Sequence, residues 1–272
     1  MTREEYDAIE AVNWTTAKEA AKSPLHYRER VEHPLEDTTR LAIGRAGHTA
    51  VLEPDRFALD YAVFRGERRA GKAWEEFRGA HPENITILRV DEYEQCLAMR
   101  DAVRNHPVAG PIFRRGTAEH VLTWTDATTG LPCKGRIDFL ADGPVLVDLK
   151  TTKSVSAREF AATAARMLYH AQLAFYRQGL AANGVCAVPT KIVAVEVDAP
   201  HDVAVFALDD DTLWAGEEVV REVMTKIAEC RRSKSWPGRY ATEQPLTLPA
   251  WAFPQQSTDD TLASMGLVIQ EA

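Results

Sequence analysis

Three short strand-like segments joined by tight turns, the first two of them alternating between polar and apolar residues, constrain the fold of this 272-residue chain more than any other feature. They cover residues 119–125, 131–140 and 145–152, and the turns between them run from Asp126 to Gly130 and from Ala141 to Pro144. Alternation is typical of a strand with one buried face, and short turns join antiparallel neighbours. The sequence therefore predicts an antiparallel three-stranded meander at the centre of the chain.

Helical and further strand patterns surround this meander. The helix candidates are 41–52, 91–105, 157–182 and 211–232, and the two further strands are 192–197 and 203–208. That order predicts an α/β (α+β) fold in which a central mixed sheet is flanked by helices. We expect one domain over 1–272, with a helical N-terminal part over about 1–118, a core over about 119–251 and a weakly structured tail over 252–272.

Composition and charge narrow the class of protein. No apolar run approaches the roughly 18–20 residues of a membrane span, and the first residues lack the apolar stretch of a signal peptide. We therefore expect a cytoplasmic protein without a membrane partner. The four cysteines are scattered singly, which predicts reduced, mostly buried thiols and no iron–sulfur cluster.

The net charge of −8 disfavours a simple nucleic-acid coating protein. An acidic protein can still carry a basic groove, because phosphate attraction acts over about one Debye length. Lys72, with Arg65 and Arg69 nearby in a Gly/Arg-rich loop, is a candidate DNA contact. The alternative is a solvated face on which these cations pair with Glu67, Glu75 and Glu76.

Two aspartates and a lysine in the meander carry the chemistry. Asp148 and Lys150 lie two apart on the third strand, so their side chains share a face. Asp138 lies opposite Asp148 only if the connecting loop has an odd length, such as 142–144, or if there is a bulge; a two-residue turn would place it opposite Val147. Facing carboxylates suit Mg²⁺ or Mn²⁺, and a neighbouring lysine can orient water for phosphodiester hydrolysis. The other interpretation is a surface ion pair on an edge strand.

The sequence resembles the PD-(D/E)xK nuclease superfamily, and within it the RecB/RecE-like exonucleases. Four motifs occur in the order found in that group: Gly44 to His48, Gly135 to Asp138, Val147 to Thr151, and Gln172 to Tyr176. The resemblance covers about residues 10–251 and implies a restriction-endonuclease-like core. Asp148 stands where many members have Glu, and the clustered cysteines of the iron–sulfur branches are absent.

The resemblance implies roles for individual residues. Asp138 and Asp148 would hold a divalent metal together with the carbonyl of Leu149, and Lys150 would handle the attacking water. His48 would be a further metal ligand or would support one, the alternative being a histidine in an apolar core.

Other residues are implied to contact DNA or to support the site: Gln172, Tyr176, Lys72, Arg45 and Thr151. Core packing is the alternative for Gln172 and Tyr176. Glu119, which opens the first meander strand, would add an acidic group near the metal or would face solvent.

The resemblance implies a Mg²⁺-dependent exonuclease, with Mn²⁺ as the other candidate ion, that attacks double-stranded DNA ends in a phage-type recombination system. Such relatives form rings around DNA, and a RecT-like single-strand annealing protein works beside them. The alternatives are a catalytically silent DNA-end-binding or scaffold protein on the same fold, which the intact Asp138, Asp148 and Lys150 disfavour, and a structure-specific endonuclease.

Overall fold

The computed structural model describes residues 3–34 and 38–253. Over those residues the helices are α1 (Arg3–Asp7), α2 (Trp14–Ala17), α3 (Pro24–Glu32), α4 (Thr39–Leu52), α5 (Pro54–Asp60), α6 (Lys72–Gly79), α7 (Val90–Asn105), α8 (Ala109–Ile112), α9 (Ala157–Met167), α10 (Tyr169–Ala182) and α11 (Asp210–Ser233). The strands are β1 (Tyr61–Phe64), β2 (Thr86–Arg89), β3 (Gly116–Thr125), β4 (Pro132–Ala141), β5 (Val145–Thr152), β6 (Thr190–Glu196) and β7 (Val203–Ala207). Short 3₁₀ turns lie at Lys18–Ala21 and Ala250–Ala252.

The central sheet has five strands in the order β3-β4-β5-β6-β7. The predicted meander is confirmed, because β3 pairs with β4 and β4 with β5 in antiparallel fashion. Strand β6 lies parallel to β5, and α9 and α10 form the crossover that a parallel pair requires. The expected α/β fold with a mixed central sheet is therefore confirmed.

One hydrophobic cluster covers each face of the sheet. On one face α10 and α11 pack with α2 over Trp124, Ile137 and Leu146. On the other face α4, α7 and α8 pack over Phe139, Val147 and Leu149. Because β5 alternates between the two clusters, it is buried on both faces, as expected for a strand in the middle of an α/β sheet.

Two predicted elements differ from the structure. The expected helix over 157–182 is two helices, because Leu168 takes a left-handed conformation (φ 58°, ψ 39°) between α9 and α10. Lys72 was expected in a loop but is the first residue of α6, which follows Gly71 at φ 81°. A glycine with positive φ resembles a loop signal in sequence, and here it lies immediately before a helix.

Of the described residues, those up to Gly238 form one compact unit and those from Arg239 to Phe253 belong to a second. Most of the expected tail, residues 254–272, lies outside the described residues. Among the helices that the structure describes, none combines the length and the apolar content needed to cross a membrane.

Candidate active site

The loop between β4 and β5 sets the register of the two aspartates. Ala141 pairs with Val145 and Phe139 pairs with Val147, so the hairpin is symmetric about Gly143. The connection is therefore the three-residue loop 142–144, the odd-length alternative among those that the sequence left open, and Gly143 supplies its positive φ of 108°. This register aligns Asp138 with Asp148.

The two strands separate where the aspartates lie. Their ladder ends at Phe139 and Val147, and beyond it the Oδ2 of Asp138 accepts a hydrogen bond from the backbone N–H of Leu149 at 2.8 Å. The alternation of β4 also breaks at this point, because Ile137 and Phe139, two apart, pack into different clusters. Asp138 therefore lies at an irregular position between the two layers of the fold.

Asp148 is a buried carboxylate with few partners. Its side chain is 1% exposed and its Oδ2 lies 2.5 Å from Nζ of Lys150, yet neither of its oxygens has a partner in hydrogen-bonding geometry. Burial raises the pKa of Asp148 to about 6, against the attraction of Lys150, and the charge of Asp138 raises it further. Burial alone would lower the pKa of Lys150, but the two aspartates outweigh it and raise that pKa.

His48 approaches the aspartates from the helical layer formed by α4, α7 and α8. It lies in α4, and its Nδ1 is 3.7 Å from Oδ2 of Asp138. Burial lowers the pKa of His48 to about 4, and the nearby charge of Lys150 lowers it further, against Asp148. The imidazole is therefore neutral near pH 7, the form in which histidine ligates metals.

Glu119 lies beside the aspartates and is engaged by an arginine. The β3–β4 register aligns Glu119 with Asp138, and Glu119 has a left-handed backbone (φ 51°). Its Oε2 is 2.7 Å from Nε of Arg136, whose guanidinium lies over the ring of Tyr6. Burial raises the pKa of Glu119 to about 7 against the attraction of Arg136. Glu119 is thus a partly buried group of the site, not a solvent-facing residue.

Gln172 and Tyr176 brace the strand that carries Asp138. Nε2 of Gln172 donates to the hydroxyl oxygen of Tyr176 at 3.2 Å, and Tyr176 is 7% exposed. A Cβ on Gly135 would lie 2.9 Å from the Tyr176 ring. Because Gly135 has no Cβ, α10 can approach β4 closely. Burial, followed by the charge of Asp138, raises the pKa of Tyr176 well above its usual value.

The remaining predicted residues lie at different distances from this group. Thr151 follows Lys150 on β5, and its methyl group would be 3.8 Å from a Cβ on Gly47, next to His48. Arg45 lies in α4 three residues before His48. Lys72 is exposed on α6, where its Nζ is 3.6 Å from Oε1 of Glu76, a pairing that matches the solvated-face alternative.

Arg69, a neighbour of Lys72 in the proposed basic group, has another partner. Its guanidinium pairs with the buried Glu92 and also donates to the carbonyl of Ile87 at 3.0 Å. Arg69 thus ties the loop before α6 to β2 and α7.

The sequence did not single out two residues that interact with Lys150 in the structure. The ring of Tyr169 lies 4.8 Å from Nζ of Lys150. Lys18 is close enough for charge repulsion: burial lowers the pKa of Lys18 and Lys150 lowers it further, against Glu19. The irregular break at Leu168 sets the position of Tyr169, and the 3₁₀ turn at Lys18–Ala21 sets that of Lys18. Neither feature produces a hydrophobic periodicity that could be recognised in the sequence.

The donor set of the site fits a magnesium-like ion. Among the described residues, no group of three or more His, Cys, Asp or Glu side chains is arranged to hold a metal. Mg²⁺, however, often takes only one or two carboxylates and completes its shell with waters and substrate phosphates. Asp148 offers two buried oxygens, and neither has a partner in hydrogen-bonding geometry although Nζ of Lys150 lies 2.5 Å from Oδ2, so both can still coordinate a metal ion.

Comparisons with known proteins agree with this geometry. A family model described as a PDDEXK-like domain of unknown function (DUF3799) matches residues 14–244. The fold is similar to the crystal structure of a "putative exonuclease" from Eubacterium rectale, with a TM-score of 0.64 and 15% identity over 91% of this chain and 96% of that one. A second solved structure, of SSO0001, aligns with a TM-score of only 0.30 at 12% identity over 79% of this chain and 86% of that one. No curated protein matches the chain.

Proposed function

The chain belongs to the PDDEXK-like family DUF3799, and we propose that it is a divalent-metal-dependent deoxyribonuclease that degrades double-stranded DNA from its ends. One observation carries the proposal: Asp138 and Asp148 are aligned across the separating strands, and the ammonium of Lys150 lies 2.5 Å from Oδ2 of the buried Asp148. Paired carboxylates with an adjacent lysine are suited to phosphodiester hydrolysis.

Each residue would contribute a distinct step. Asp138, Asp148 and the carbonyl of Leu149 would hold Mg²⁺ or Mn²⁺, which supplies positive charge to the reacting phosphate when bound. The N–H of Leu149 fixes the orientation of Asp138 through its bond to Oδ2. His48 supplies a neutral nitrogen on the α4 side of Asp138.

Lys150 would act as a charged donor. Because the flanking aspartates raise its pKa, its Nζ is protonated near neutral pH. An ammonium here donates hydrogen bonds to the attacking water and offsets the charge that develops on the phosphate oxygens. Such stabilisation is strongest in the transition state and therefore acts on turnover more than on substrate binding.

Cleavage of linear and closed circular duplex DNA of one sequence tests the proposal. We expect the wild-type protein to degrade the linear form in Mg²⁺ and to leave it intact in EDTA. The Asp138→Asn variant, which keeps the acceptor for the Leu149 N–H, should leave the linear form intact even in Mg²⁺. The circular form should stay intact. Cleavage of the circle would indicate an endonuclease instead, and end binding without cleavage in Mg²⁺ or Mn²⁺ would indicate a silent DNA-binding protein.

A further inference from the structure

The ring of Tyr169 covers the ammonium group of Lys150, a contact that the proposed hydrolysis does not use. Nζ of Lys150 lies 4.8 Å from the ring centroid and 2.5 Å from Oδ2 of Asp148. A cation within about 6 Å of an aromatic ring centroid is attracted to the ring face, more so when water is excluded. The side chain of Lys150 is 14% exposed, so this contact is largely shielded from water.

The backbone and two further rings fix the position of Tyr169. Leu168 has a left-handed conformation that is costly for a leucine, and it ends α9 so that α10 begins at Tyr169. The ring of Phe160 lies 6.3 Å from that of Tyr169 and stacks on Phe206 of β7 at 4.7 Å with an interplanar angle of 6°. The aromatic face is therefore anchored to the sheet through α9.

A metal ion and Lys150 would compete for the same acceptor. Asp148 is the carboxylate closest to the ammonium, and it is also a proposed metal ligand. An oxygen that binds a cation becomes a weaker partner for Lys150, whose four-carbon stem has many rotamers. An uncharged ring face remains available to the ammonium whether or not Asp148 is coordinated.

We propose that Tyr169 is a positioning residue that holds the ammonium of Lys150 at the reacting phosphate when Asp148 is bound to the metal. This inference rests on the proposed nuclease function. The positioning depends on the ring face of Tyr169 and not on its hydroxyl. Phenylalanine at this position should therefore retain the function, whereas an aliphatic side chain should not.

Kinetics on linear duplex DNA in Mg²⁺ test the role. We expect Tyr169→Phe to keep wild-type kcat, and Tyr169→Leu to lower kcat about tenfold with KM unchanged. In a Lys150→Ala background, Tyr169→Leu should cause no further loss, because the group that it positions is gone. A rise in KM, an equal loss in the Lys150→Ala background, or an equal loss in Tyr169→Phe would overturn the proposal.

A second readout does not depend on activity. In protein labelled with ¹³C-lysine, the ε-CH₂ signal of Lys150, assigned by its absence in Lys150→Ala, should show an upfield ring-current shift. The shift should persist in Tyr169→Phe, with and without Mg²⁺, and disappear in Tyr169→Leu. If Tyr169→Leu does not fold, Tyr169→Met fills a similar volume without a ring.

The two readouts separate the two proposals. If the wild type cleaves no DNA, but the ring-current shift is present in wild type and Tyr169→Phe and absent in Tyr169→Leu, the proposed nuclease function is refuted and the Lys150–Tyr169 contact is still supported. An ε-CH₂ shift that is the same in Tyr169→Leu as in wild type, or that collapses when Mg²⁺ is added to the wild type, would refute the positioning role even if DNA is cleaved.

Discussion

The carboxylate of Asp148 is held in the protein at a cost in stability when no metal is bound. It is 1% exposed, its oxygens have no partner in hydrogen-bonding geometry, and burial raises its pKa to about 6. A folded-state pKa above the unfolded value means that the contribution of this group to stability is lost as pH rises through about 4 to 6. Metal-free protein should carry the full penalty at pH 8.

Asp148→Asn removes that charge while keeping the shape of the side chain. The variant also removes the counter-charge of the buried Lys150, so the test is the pH dependence and not the absolute stability. Without metal we expect the free energy of unfolding of the wild type to fall, relative to that of the variant, by on the order of 1–3 kcal/mol between pH 3.5, below the ordinary pKa of 3.8, and pH 8. Mg²⁺ should raise the melting temperature of the wild type and leave that of the variant unchanged. The same pH dependence in both proteins, or an equal Mg²⁺ effect on both, would contradict this account.

At the scale of elements, close approach of α10 to β4 depends on a single glycine. A Cβ at Gly135 would lie 2.9 Å from two atoms of the Tyr176 ring, so the ring or the strand must move. We expect Gly135→Ala to cost about 1–3 kcal/mol in thermal or urea unfolding and to reduce cleavage at a temperature where the variant is folded.

Gly44→Ala is the matched control for this glycine. Gly44 lies inside α4, and a Cβ there meets nothing within 4 Å. Alanine is a better helix former, so this variant should be as stable as wild type or up to about 1 kcal/mol more stable. Equal destabilisation by both substitutions would mean that the Tyr176 contact is not the cause of the loss.

The same elements show where sequence reasoning succeeds. The sequence ties the alignment of Asp138 with Asp148 to an odd-length loop such as 142–144, and the structure has that loop, because hairpin register depends on loop length. The break at Leu168 is not predictable in this way: apolar periodicity continues across it, and tertiary packing imposes the left-handed conformation. Tyr169 was missed for that reason.

At the scale of the whole molecule, a net charge of −8 means that DNA must be held by a local group of cations. Lys18 and Lys72 are expected to differ in their contribution to DNA binding. Burial, and then the charge of Lys150, lower the pKa of Lys18, and a bound phosphate would relieve the repulsion between the two lysines. Lys72 is exposed on α6 and 3.6 Å from Glu76, which already offsets its charge.

The salt dependence of binding distinguishes the two lysines. Duplex DNA affinity is measured against salt in an Asp138→Asn background, so that the DNA is not degraded. We expect Lys18→Ala to flatten the slope of log K against log salt by about 0.9, the value for one neutralised phosphate, and Lys72→Ala to leave it unchanged. The reverse result would place the DNA path over α6 and away from Lys150. Because this slope counts phosphates contacted whatever the chemistry at the aspartates, it locates the bound backbone even if no bond is cleaved.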